Sequence, residues 1–188
     1  MDTSKFERVG VVYNPAAGKG KAKQQFVEVV SPLLHKHFGD RLCRIESSTS
    51  SGDSITRTKN LIKDHQCDLI IACGGDGTNN EVLNGIMSER NGDISRCAMA
   101  VLPMGTGNDF VRSIGMLQDA SNKSIEENIQ IIAKEGKIVN IDVGSVDCTP
   151  ISEQCPLSLN EKFQSPEQEQ EAEQSIYKEC TIKRYFLN

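Results

Sequence analysis

The sequence predicts an α/β protein: a parallel sheet with helices on both faces. Three observations carry this expectation. Strand-like and helix-like segments alternate between Arg8 and Val143, the order of a parallel sheet wrapped by helices. Asp68–Cys73 (DLIIAC) is a short uninterrupted apolar run, as a strand covered on both faces requires. Glycine-rich loops follow three of the strand ends, and the carboxyl ends of strands are where open parallel sheets bind ligands.

Each element has a local reason. Arg8–Asn14 (RVGVVYN) is a β-branched run closed by Asn-Pro, a strand and then a turn. From Lys21 to His37, the residues Phe26, Val29, Val30, Leu33 and His37 share one helical face. Pro32 lies inside that stretch and should bend or split it. Arg41–Glu46 is a weaker strand, and Asp53 can cap a helix carrying Ile55 and Ile62. Asp68–Cys73 is the buried strand, Thr78–Met87 a helix and Ala98–Pro103 another strand. Ser124 and Glu127 have capping-box spacing ahead of Ile125, Ile129 and Ile132, with Gly136 as the stop. Lys137–Val143 and Cys180–Asn188 (CTIKRYFLN) read as strands. Between Thr149 and Glu179 the chain is rich in Gln, Glu, Ser and Pro. That composition buries little and predicts a linker, with a short solvated helix over Pro166–Lys178.

Composition excludes several classes of function. With 188 residues the chain is one domain, or one and a piece of another. The net charge is −5 and no basic block is present, which argues against broad nucleic-acid binding. Aromatic residues make up 5% with no Trp, so a base-stacking platform is not expected either. No apolar run approaches the ~18 residues of a membrane span. The opening MDTSKFERVG lacks a signal pattern. The seven cysteines (43, 67, 73, 97, 148, 155 and 180) are odd in number, irregular in spacing and without C-x-x-C. They are read as reduced thiols, with Cys67, Cys73 and Cys97 as small core residues. His35, His37 and His65 show no metal-site spacing and are read as solvated.

The glycine-rich loops differ in information. Asn14-Pro15-Ala16-Ala17-Gly18-Lys19-Gly20 satisfies neither the P-loop nor the dinucleotide fingerprint. A structural turn explains it as well as a phosphate contact does. Gly74-Gly75-Asp76-Gly77-Thr78-Asn79-Asn80-Glu81 lies between a buried strand and a helix start. Its glycines let backbone approach a ligand, and the helix N-terminus suits phosphate. Asp76 would repel phosphate unless Mg²⁺ lies between them, or unless Asp76 takes a proton from an attacking hydroxyl. The bland alternative is a turn with a capping Asp. Pro103-Met104-Gly105-Thr106-Gly107-Asn108-Asp109 again joins a strand to a helix. Thr106 can bond a phosphate, while a helix cap would by itself explain Asn108 or Asp109.

GGDGTNNEV, followed by LPMGTGNDFVR and preceded by YNPAAGKGK, resembles the diacylglycerol kinase catalytic domain family. That family includes sphingosine and ceramide kinases, with NAD kinases as distant relatives. The resemblance runs from about Val9 to Val143. It implies an ATP-dependent lipid kinase, with ATP and Mg²⁺ as cofactors. The acceptor would be diacylglycerol or a sphingoid base at a membrane surface, which places the protein in the cytoplasm, peripheral to membranes. Asn14, Gly74, Gly75, Asp76, Gly77, Thr78, Asn79, Glu81, Gly105 and Thr106 would line the nucleotide site, with Asp76 catalytic. A family Thr after the second strand corresponds to Ser48 or to Thr49, and Thr49 is carried forward. No metal ligand is assigned. The resemblance also implies a second β-sandwich lobe, of which only the beginning is expected. Residues 1–143 would then be the nucleotide-binding lobe, 144–179 a linker or insert, and 180–188 the first strand of a truncated second lobe. The chain would be a fragment of a longer kinase. The alternatives are an inactive nucleotide-binding or regulatory module and an NAD kinase.

Overall fold

The computed structural model describes residues 6–89, 97–114, 124–135, 138–148 and 182–186. The principal sheet has four strands: β1 (Val9–Tyr13), β2 (Leu42–Ser47), β3 (Leu69–Gly74) and β4 (Ala98–Pro103). Their order is β2-β1-β3-β4 and every pairing is parallel. From β1 the chain first builds outward to β2, then crosses back to β3 on the other side of β1. This reversal opens a crevice beyond the carboxyl ends of β1 and β3, the place where such sheets hold ligands.

The strands are apolar on both faces because both faces are covered. Val9, Val11, Leu69, Ile71 and Cys73 pack on one side with Phe26, Val30, Leu34 and Ile129. Val12, Ile70 and Ala72 pack on the other with Leu61, Ile62, Val82 and Ile86. Cys67, Cys73 and Cys97 are buried, as expected of small core residues. Burial pushes the Cys67 thiol up to about 12, with Cys43 and Cys97 nearby adding to the effect.

The helix after β1 is interrupted. It consists of α1 (Ala22–Gln25), a π turn at Phe26–Val30, and α2 (Ser31–Phe38). Pro32 sits in the first turn of α2, where its missing N–H costs least. Just before it, the Ser31 N–H reaches back five residues to the Phe26 carbonyl. The extra residue in this turn moves the buried face. Phe26, Val30, Leu34 and Phe38 are buried, whereas Val29 is 41% exposed. Of the expected face, Phe26 and Val30 are buried and Leu33 packs against the same core, so the correction falls on Val29. His37 is not solvated either: its side chain is 8% exposed and lies 3.3 Å from Glu126 Oε1.

Among the described residues, the remaining α-helices are α3 (Asp53–Lys63), α4 (Asp76–Glu89), α5 (Asp109–Ser113) and α6 (Ile125–Gln130). The capping box forms at α6. Ser124 Oγ accepts the Glu127 N–H at 3.2 Å, and Glu127 Oε2 accepts the Ser124 N–H at 2.6 Å. Helix α4 starts two residues earlier than the sequence suggests, so Asp76 stands in its first turn. Among the described residues, no helix is long and apolar enough to cross a membrane.

The strand expected at Lys137–Val143 is displaced. Residues 138–143 have no regular structure, and the strand β5 is Gly144–Cys148. Val139 is 72% exposed and Ile141 37% exposed. Alternating β-branched residues favour a strand only where a partner and a face to cover exist. Among the described residues, no strand pairs with this segment. Strand β5 therefore falls on residues assigned to the linker, and it pairs with β6 (Ile182–Phe186) in a separate two-stranded sheet. The chain divides into two compact units, Met1–Val143 with Phe186–Asn188, and Gly144–Tyr185. The linker and helix expected between Thr149 and Glu179 lie outside the described residues, as does the Gly136 stop.

Candidate nucleotide site

Three loops meet beyond the carboxyl ends of β1, β3 and β4. Asn14 leaves β1 with its N–H bonded to the Cys73 carbonyl at 3.0 Å. Its Oδ1 accepts the Ala16 N–H at 2.9 Å and closes the Asn-Pro turn. Gly18 then takes a left-handed φ of +58° and passes the Met104 carbonyl so closely that a Cβ would sit 2.8 Å from that oxygen. Only glycine fits both conditions. The first loop, unremarkable as a motif, is thus packed on the third.

The second and third loops are in backbone contact. A Cβ on Gly75 would lie 3.2 Å from Gly105 Cα, and one on Gly105 would collide with Gly75 Cα. Asn108 holds this approach in place. Its Oδ1 accepts the Gly105 N–H at 3.1 Å, and its Nδ2 donates to the Gly105 carbonyl at 3.0 Å. Asn108 sits at the N-cap position of α5 with φ 55°, but its side chain makes no cap bond. It is spent on Gly105.

Asp76 supplies the missing cap from the neighbouring loop. Its Oδ1 accepts the Phe110 N–H at 3.1 Å, in the first turn of α5. A Cβ on Gly107 would lie 3.2 Å from Asp76 Oδ2 and 3.3 Å from Asp109 Oδ2, so one carboxylate oxygen of each flanks the same glycine. Asp109 is exposed and lies 3.7 Å from Arg112. The first helical bond of α4 runs from the Asn79 N–H to the Gly75 carbonyl at 3.0 Å. The N–H groups before it face the crevice end of the helix, where a positive dipole end favours anions. Nothing lies within 4 Å of where a Gly77 Cβ would be, so the approach is open. Thr106 is exposed on the third loop. These features fit a phosphate chain and a divalent cation: close backbone, free donors, and two carboxylates on one point.

Three residues expected at the nucleotide have side chains that are buried or turned aside. The Asn79 side chain is wholly buried, and neither its Oδ1 nor its Nδ2 has a partner among the described residues. Thr78 is 3% exposed, with an unpartnered Oγ1 beside Gly74. Glu81 turns away to α3, accepting the Gly52 N–H at 2.7 Å and the Ser54 N–H at 3.3 Å. At the fourth loop, Ser48 is buried and its N–H bonds the Tyr13 carbonyl at 2.9 Å. Thr49 is exposed, and its Oγ1 donates to Asp53 Oδ2 at 3.0 Å. The Thr49 backbone N–H, more than any other group, holds the Asp53 carboxyl below the usual carboxylate range. Sequence reasoning did not assign Gly18, Asn108 or Asp109 to the site. Asn108 and Asp109 were legible only as possible caps, and Gly18 only within a loop that a turn and a phosphate contact explain equally well.

Comparison with known proteins agrees with this geometry. The family model described as the diacylglycerol kinase catalytic domain matches residues 8–146. A diacylglycerol kinase of Staphylococcus saprophyticus is 33% identical over 75% of this chain and 42% of its own length. One from Bacillus subtilis is 31% identical over the same shares. The chain therefore spans about two fifths of the length of these curated relatives. A crystal structure of a diacylglycerol kinase from Bacillus anthracis superposes with a TM-score of 0.54 and 34% identity, covering 76% of this chain and 45% of that one. With its loops, sheet order and match over residues 8–146, the chain belongs to the diacylglycerol kinase catalytic domain family.

Proposed function

We propose that this chain provides the nucleotide-binding lobe of an ATP-dependent lipid kinase, which transfers the γ-phosphoryl group to a lipid hydroxyl. The backbone contact between Gly75 and Gly105, with Asp76 pinned beside it, is the observation that carries the reading. The α4 N-terminus and Gly77 would receive phosphates. Thr106 and the turn at Asn14 would border the nucleotide. Asp76 and Asp109 are the carboxylates that would hold Mg²⁺, which when bound neutralises phosphate charge during transfer. With Oδ1 fixed by the Phe110 amide, Asp76 keeps Oδ2 for the cation or for the proton of an attacking hydroxyl.

The family of the chain supports lipid as the acceptor class. The experiment offers γ-labelled ATP and Mg²⁺ with diacylglycerol vesicles, sphingosine vesicles or NAD in separate reactions. The reading expects saturable ATP binding by this chain and, where the second lobe of the proposed kinase is also present, label in lipid alone. Label in NAD alone would overturn it in favour of an NAD kinase. Saturable binding without transfer to any acceptor would identify a nucleotide-binding module without turnover.

A further inference from the structure

Glu81 stands on α4, one helical turn beyond the first residues of the phosphate loop, yet it does not face the crevice. Its carboxylate accepts two backbone N–H groups at the start of α3, from Gly52 at 2.7 Å and from Ser54 at 3.3 Å. These are orphan donors at a helix N-terminus, and an anion there satisfies both hydrogen bonding and dipole. One turn further along α4, Gly85 lets the two helices touch. A Cβ there would fall 2.5 Å from Thr58 Cβ and 2.9 Å from the Ile55 carbonyl oxygen. Helix α3 is thus fixed on α4 at two points, and Glu81 is the point nearer the crevice. The residues it fixes end the loop that runs from Ser48 to Gly52. That loop is otherwise tied to β1 through the Ser48 N–H to the Tyr13 carbonyl, and locally through Thr49 to Asp53 and the Asp53 N–H to the Ser50 carbonyl.

We propose that Glu81 is a positioning residue: without touching nucleotide, it holds the Ser48–Gly52 loop in register with the glycine loop of α4, so that Thr49 meets the same phosphates. This inference rests on the reading of the crevice as a nucleotide site. It reassigns Glu81 from contact to support, and it makes the fourth loop part of one rigid arrangement with the second.

The test is an NMR titration of the 188-residue chain with Mg²⁺–ATP, on the unaltered protein and on E81A, E81Q, T49A and the E81A/T49A pair. Amide exchange at Gly52 and Ser54 is measured alongside. E81A should speed exchange at both amides and weaken ATP binding by roughly 10-fold, the scale of losing charge-assisted hydrogen bonds. E81Q should lose less, because its amide oxygen still accepts. T49A should weaken binding in the unaltered background and add little in the E81A background, since residues acting through one another are non-additive. Unchanged ATP affinity in E81A despite faster exchange would overturn the proposal, and so would fully additive losses. Should E81A fail to fold, E81Q with E81Q/T49A carries the same comparison. Absence of ATP binding by the unaltered chain would instead overturn the nucleotide-site reading, and this proposal with it.

Discussion

Asp76 divides its two carboxylate oxygens between two tasks, with Oδ1 on the Phe110 amide and Oδ2 beside Gly107. The substitution D76N keeps an acceptor for Phe110 and removes the charge. On the proposed lipid-kinase reading, it should leave the thermal midpoint nearly unchanged and lower phosphoryl transfer by roughly 10²-fold or more. Near-normal turnover would reduce Asp76 to a cap. Asp53 supplies a pH signature. Its carboxyl is depressed below the ordinary value of 3.8, chiefly by the Thr49 N–H. A depressed acid contributes stability above its unfolded pKa and loses it as pH falls through the folded value. Denaturation of D53N against the unaltered chain should therefore show a stability gap at neutral pH that closes only below about pH 3.8. A gap that closes near neutrality would contradict the assignment. At this scale the sequence reveals residue types and not their partners. Asp76 was legible as a carboxylate inside a glycine loop at a helix start. The turn of Glu81 toward α3 depends on how two helices pack, which no local pattern encodes.

Helix α4 shows two glycines with opposite uses. Gly77 has open space around it, whereas Gly85 is pressed against Thr58 and Ile55 of α3. G85A should therefore cost stability, ~1–3 kcal/mol for overpacking, and push α3 away from α4. G77A should leave the fold intact and weaken ATP binding, by placing a methyl group where phosphate would approach. Chemical denaturation and nucleotide titration of both variants separate the effects. Equal losses of affinity without loss of stability would contradict the assignment of Gly85. Elements were legible where one residue type fixes them, as with the Ser124–Glu127 capping box and the apolar run of β3. They were misread where a neighbour decides. Pro32 signalled the break in the helix after β1, but nothing local signalled the π turn, which leaves Val29 exposed and buries Leu34 and Phe38. The Lys137–Val143 pattern suits a strand, yet strand β5 forms only at Gly144, where β6 provides a partner.

On the scale of the whole molecule, the sheet order β2-β1-β3-β4 creates the crevice, and the loops after β1, β3 and β4 close around it. The parallel α/β class was readable from alternation, and the place of the glycine loops at strand ends from their spacing. The contact of Gly18 with Met104 and of Gly75 with Gly105 was not, because it joins loops far apart in sequence. The family match covers residues 8–146, and the chain spans about two fifths of its curated relatives. Among the proposed properties, nucleotide binding is the one these residues allow to be tested directly. The measurement that tests it is an amide-resolved titration of the chain with Mg²⁺–ATP, beside the same titration of G75V. The account predicts saturable shifts concentrated at Gly18, Gly75–Thr78 and Gly105–Gly107, and their loss in a folded G75V protein. Shifts centred away from these three loops, or an unaltered affinity in G75V, would contradict it.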